Sequence, residues 1–184
     1  MNRREFLTIG AGSAALAVFP AIPAVAADNR HPNFNFLTIG AHTGGTDMLA
    51  MSGDGTTNPA RVIGGGSWNH FDNDPALPIP KPVIGTGTWK SGELVSLDII
   101  GTWGVLAAGT LVMEARFLEE SGLRFSATVT VNCNLGFAGL STGLPEGVFV
   151  DIPDFGISFV PATFPGTSFP FGLTVFSTAD EQQG

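Results

Sequence analysis

The sequence predicts an all-β domain: a single antiparallel meander closed into a small β-barrel of about eight to ten strands, with a two-layer β-sandwich as the alternative. Two observations carry this. Apolar and polar residues alternate over most of the chain, in runs bounded by glycine and proline turn signals. A glycine-interrupted unit also occurs twice, VIGGGSW at Val62–Trp68 and VIGTGTW at Val83–Trp89, 21 residues apart. With the two-residue period of a strand, Val62, Gly64, Gly66 and Trp68 share one face, as do Val83, Gly85, Gly87 and Trp89, while Thr86, Thr88 and Lys90 take the other. Glycines inside strands cost stability, so their matched placement points to sharply bent strands or to close approach beneath a large ring. The valine, glycine and indole face is therefore expected inside. Barrel and sandwich both protect strand edges.

The chain opens on a different pattern. Asn2-Arg3-Arg4-Glu5 precedes a short apolar stretch that ends in Pro23-Ala24-Val25-Ala26-Ala27, the layout of a cleavable signal peptide over residues 1–27. The stretch falls short of the ~20 residues a spanning helix needs, and Gly10, Gly12 and Pro20 weaken it further, so no stable membrane anchor is expected. The paired arginines followed by Glu5, Phe6 and Leu7 resemble the twin-arginine export motif, with Asn2 in place of the usual Ser or Thr and Thr8 where Lys is common. That resemblance implies passage of a folded chain through the export machinery to a periplasmic or extracellular location. FLTIGA, part of this leader at Phe6–Ala11, recurs at Phe36–Ala41 before a Gly-Gly pair, where it reads as the first strand.

The whole chain carries a formal charge of −8, and without the leader six basic and fifteen acidic residues are left. Nucleic acid and anionic membrane both demand a basic surface, so neither is expected as a partner. Cys133 is the single cysteine, which leaves stability to packing. Fifteen Phe and no Tyr agree, since Phe contributes a large apolar area without a hydroxyl to satisfy. After an N-terminal arm at residues 28–35, one barrel domain is expected over 36–178 and a polar tail over 179–184.

Within the domain, His42-Thr43-Gly44-Gly45-Thr46-Asp47 reads as a two-residue hairpin with both glycines at positive φ, Thr43 opposite Thr46 and His42 paired across from Asp47. Asp54-Gly55 reads as the next turn. The two repeat units follow as strands, then Gly92–Gly104 and Val105–Glu119 as long strands around a break at Gly101 to Gly104. The Ala, Leu and Met content of Val105–Leu118 would also suit a helix. Leu123–Leu135 alternates, with Phe125, Ala127, Val129, Val131 and Cys133 on the apolar side and Ser126, Thr128, Thr130 and Asn132 on the other. Short strands near Val148 and Ile157 and a closing strand at Phe171–Ser177 complete the meander.

Chemistry concentrates in WNHFDND, Trp68–Asp74. Parity places Trp68, His70 and Asp72 on the inward face at a strand end, the mouth of the barrel, and makes His70 with Asp72 a candidate catalytic acid–base pair. The plain alternative is a surface turn in which Asp72 and Asp74 bond their own backbone ahead of Pro75. Trp68, Trp89 and Trp103, all expected inward, together with His42 and Asp47 are candidate ligand-binding residues around an apolar pocket, with a filled core as the alternative. No Cys or His set has zinc-site spacing, so no metal ligand is assigned, and no cofactor is identified. Gly139–Gly143 fits G-x-S-x-G around Ser141, but Pro145 and Gly147 oppose the helix that a nucleophile elbow needs, and all three histidines precede it.

The strand count and glycine-rich strands resemble small barrels of the allene oxide cyclase and dirigent type, which guide reactive intermediates inside an apolar cavity. No residue role is carried over from them. The expectation is an exported barrel that binds a small, mostly apolar ligand or a protein partner without chemistry of its own. An isomerase- or cyclase-like enzyme using His70 and Asp72 is the alternative. A structural or interaction protein presenting the Phe- and Pro-rich segment Leu144–Phe171 is the third reading.

Overall fold

The computed structural model describes residues 31–178. The leader at 1–27, the start of the arm at 28–30 and the tail at 179–184 lie outside the described residues. Nine strands follow in order: β1 (Asn33–His42), β2 (Met48–Thr57), β3 (Val62–Phe71), β4 (Val83–Trp103), β5 (Leu106–Glu119), β6 (Arg124–Cys133), β7 (Gly147–Ile152), β8 (Ile157–Pro161) and β9 (Gly172–Ser177). A 3-10 turn at Gly136–Ala138 is the one helical element among the described residues. All pairings are antiparallel, each strand from β1 to β8 bonds to the next, and β8 returns to β1. The ring closes at eight strands, which makes the fold a barrel rather than a sandwich.

Strand β9 is the extra one. It lies along Asn33–Thr38 of β1 and touches β5 at Leu106 and Ala107, while β8 takes Gly40–His42 further along the same edge of β1. No long edge of β1 is left to pair with another chain. Because β1 begins at Asn33, the last three residues of the expected arm belong to the barrel wall.

Several boundaries differ from the sequence expectation, each for a packing reason. The second repeat and Gly92–Gly104 join into one strand of 21 residues, β4, which bends round the barrel through three register shifts against β5, at Ser91/Leu94, Leu94/Ser96 and Ile99/Gly101. Asp54-Gly55 is not a turn but the middle of β2, with Gly55 opposite Phe34. The chain reverses instead at Asn58, whose Oδ1 accepts the backbone N–H groups of Ala60 and Arg61. The β5 segment is a strand along its length, since β4 and β6 bond to both of its edges and this pairing outweighs the helical propensity of its residues.

Large rings laid over glycines fill the interior. Phe36, Gly53, Gly66, Trp89 and Phe117 are successive cross-strand partners in one inward row. The rings of Phe36 and Trp89 stack at 5.7 Å above the two glycines between them. A Cβ on Gly53 would meet the Trp89 indole, and one on Gly66 the backbone of β2. Phe34 covers Gly55 and Gly64 in the same way. The indole of Trp89 satisfies its N–H on the carbonyl of Ser52 at 3.0 Å, and that of Trp68 on Thr88 at 3.2 Å. Trp89, Phe36, Phe117, Phe176 and Met51 are fully buried, each contributing about 1.5–3 kcal/mol relative to exposure. Val62, Trp68 and Trp89 thus face inward as expected. Val83 does not: it lies beyond the irregularity at His70/Phe71 and is 53% exposed.

Candidate functional site

Three places on the barrel carry polar chemistry: the mouth near His70, the opposite end beneath the β6–β7 loop, and a groove on the outer wall. At the mouth, His70 ends the inward row of β3 between Leu49 of β2 and Gly85 of β4. Its Nε2 is buried and lies 3.3 Å from Asp47 Oδ2, in an orientation that does not make a hydrogen bond. The ring meets Phe159 edge-on at 5.7 Å, and His42 packs on the same phenyl ring at 5.6 Å. His42, Asp47, His70 and Phe159 therefore form one cluster across β1, the β1–β2 loop, β3 and β8.

The pairings inside this cluster are not the expected ones. The register does set His42 opposite Asp47, with the His42 N–H on the Asp47 carbonyl at 2.9 Å. The carboxylate, however, turns to His70. Neither Gly44 nor Gly45 has a positive φ, and Thr43 donates to Ser158 of β8 instead of pairing with Thr46, so the connection is a wider loop tied to β8. Asp72 is not the partner of His70. The register breaks between His70 and Phe71, the Asp72 N–H bonds Pro82, and the Asp72 carboxylate accepts the N–H of Asp74 at 3.0 Å, the plain turn reading of this segment.

Trp68 and Trp89 are both buried in the packed core, and Trp89 also backs the groove on the outer wall. Trp103 is 49% exposed and packs edge-on against Phe137 at 5.1 Å. The three register shifts of β4 break the parity that linked it to Trp89. The Leu144–Phe171 segment does present apolar side chains outward, among them Leu144, Phe155, Phe164 and Phe169.

At the other end, a polar network appears that alternation alone hides. Asn132 falls on the side of β6 read as wet, yet it is fully buried, because the loop from Asn134 to Glu146 folds over it. Its Oδ1 accepts from Thr110 and Thr142 at 2.8 Å each, and its amide donates to the carbonyls of Leu144 and Pro145. The Glu146 carboxylate accepts the N–H of Asn134 at 2.6 Å and both the hydroxyl and the N–H of Thr174. Every member finds a partner, so the network fastens the loop and β9 to the barrel rather than offering a reactive group. Cys133 sits beside it, buried, with its thiol donating to the Thr174 carbonyl at 3.4 Å. Burial pushes this thiol above its ordinary pKa, and the Phe176 backbone opposes the shift. Ser141 lies in the same loop, its hydroxyl accepting the N–H of Gly143.

The third place was missed by sequence reasoning. A groove of about 1060 Å³ runs over β3, β4, β5 and β6, lined by outward residues together with Trp89, Phe117 and Phe125 of the inward row and Asp154 of the β7–β8 turn. Lys90, Arg116 and Ser126 are successive cross-strand partners there, one row away from the inward row of Trp89, Phe117 and Phe125. Arg124 and Leu118 pair in the adjacent outward row, and Arg61 stands at the start of β3. Of the five Lys and Arg side chains among the described residues, these four line the groove; Lys81 lies elsewhere. None of the four forms an ion pair with a described residue. The signal was spread over 64 residues of sequence, one cation per strand, and only strand pairing collects it.

Among the described residues no group of three His, Cys, Asp or Glu side chains is placed to hold a metal ion. In comparisons with protein-family models, with curated proteins and with solved structures, nothing matches this chain.

Proposed function

We propose that this barrel is an exported, non-catalytic binding module that holds its ligand or protein partner on the outer wall, in the groove over β3–β6, rather than inside. The packed interior carries the reading: the stack of Phe36 and Trp89 over Gly53 and Gly66 occupies the space that an apolar ligand would need. An open groove whose four cations form no ion pair with a described residue supplies the alternative surface. Titration with an uncharged apolar dye such as Nile red tests it. No stoichiometric uptake and an unchanged, blue emission of the buried indoles are expected. Saturable uptake with a shift of that emission would put the ligand inside and end this reading.

A second reading keeps catalysis at the mouth, of the isomerase or cyclase kind, with His70 as the proton-transfer group and Asp47 in place of Asp72 as its carboxylate. The buried, hydrogen-bond-free Nε2 of His70 beside Asp47 favours it. Under this reading His70→Ala abolishes turnover of a substrate while leaving ligand capture by the groove intact.

A further inference from the structure

Resting on the reading of the groove as a binding surface, we propose that its occupant is an acidic polysaccharide laid across strands β3 to β6. Charge placement is the first support. In a chain of formal charge −8, four of the five described cations share one groove. Lys90 and Arg116 stand directly opposite each other on β4 and β5, an arrangement that repels in the free protein and that a bound anion relieves. Of the two carboxylates in the lining, Glu93 lies across a backbone bridge from Arg61 without an ion pair between the two side chains, and Asp154 belongs to the β7–β8 turn beyond β6. Glu114, the outward neighbour of Arg116 on β5, is engaged by the Thr128 hydroxyl.

Spacing is the second support. Arg61, Lys90, Arg116 and Arg124 come one from each of four neighbouring strands, which lie about 4.8 Å apart. Lys90 and Arg116 are register partners, while Arg61 lies four residues along from Gly65, the partner of Lys90, and Arg124 two residues along from Ser126, the partner of Arg116, so the cations form an oblique line that suits an extended polyanion laid slantwise over the strands. A volume of about 1060 Å³ is far more than one small anion fills. Between the cations, Thr88 and Ser126 offer hydroxyls, and Ile63 and Leu118 offer aliphatic surface to the C–H faces of sugar rings. Single-stranded nucleic acid suits the groove less well, because of the three aromatic rings along it Trp89 and Phe117 are buried and the partly buried Phe125 is already stacked on Phe117 and packed edge-on against Phe155.

The test uses the intact protein and an oligogalacturonate long enough to cross four strands, by calorimetry or fluorescence anisotropy. Binding is expected at low salt and should weaken steadily as salt rises, with no binding of an uncharged cello-oligosaccharide of equal length. The double variant K90Q/R116Q should lose at least tenfold in affinity and show a shallower salt dependence, while Lys81→Gln, outside the groove, should bind like the parent. Melting temperatures of the variants at or above that of the parent show that they fold. Absence of oligogalacturonate binding at low salt, undiminished binding by K90Q/R116Q, or tighter binding of a single-stranded oligonucleotide would overturn the proposal. Failures of the two readings separate by sedimentation and by the neutral sugar. Self-association lost in K90Q/R116Q, or neutral sugar held in the groove, removes the acidic polysaccharide but keeps the groove as a binding surface. A double variant indistinguishable from the parent in every arm removes both.

Discussion

Gly53 and Trp89 lie two strands apart in one inward row, and the indole occupies the position that a side chain on Gly53 would need. Overpacking of this kind forces ring and backbone to shift, so Gly53→Ala is expected to cost about 1–3 kcal/mol. Urea unfolding with an unchanged slope checks it. Gly136→Ala, where a Cβ meets nothing within 4 Å, is the control and should stay within about 0.5 kcal/mol of the parent. Equal midpoints for the two variants would mean that the ring does not lie over Gly53.

Asn132 satisfies two hydroxyls and two carbonyls under the β6–β7 loop. Removing it strands those groups, and Asn132→Ala should lower stability by about 1–3 kcal/mol, with faster amide exchange confined to Asn134–Glu146. A loss of stability without local exchange in that loop would contradict its role as the fastening.

Burial raises the Cys133 thiol above its unfolded value, so the folded protein retains a proton that the unfolded chain releases. Stability from this group is complete below the unfolded thiol pKa of about 8.5 and declines as pH rises through the folded value. Cys133→Ala should flatten the alkaline limb of the stability profile. At pH 8 the thiol should react with a maleimide at the rate of global unfolding, and prompt labelling of the native protein would show it exposed.

Lys90 and Arg116 oppose each other as like charges. Lys90→Gln should therefore stabilise the free protein by about 0.2–1 kcal/mol, a gain that salt diminishes. Thermal melts at low and high ionic strength measure this; a destabilised variant at low salt would show that the pair is compensated.

Of the three tryptophans, Trp103 alone is substantially exposed. Acrylamide should quench one emitting component, red-shifted from the rest, and Trp103→Phe should remove it with little change in stability. Persistence of that component in the variant would place Trp68 or Trp89 at the surface.

The sequence by itself determined the fold class and the inward face of the first repeat. Alternation with period two and glycines opposite large rings are local statements about strands, and Val62, Trp68 and Trp89 obey them because the steric need is met within one row of neighbours. It also marked His70 as a mouth residue, and it offered Asp72 as the partner of His70 or as a turn former, of which the structure keeps the second. Parity failed wherever the register broke: a shift at His70/Phe71 exposed Val83 and separated His70 from Asp72, and three shifts in β4 turned Trp103 outward. Those irregularities arise from bending one long strand round a closed ring, a requirement of the assembled sheet that no short window contains. Only the tertiary structure gave Asp47 to His70, buried Asn132 under a distant loop, and gathered Arg61, Lys90, Arg116 and Arg124 into one groove. Each of these relations joins residues on different strands, and strand pairing sets the distances between them.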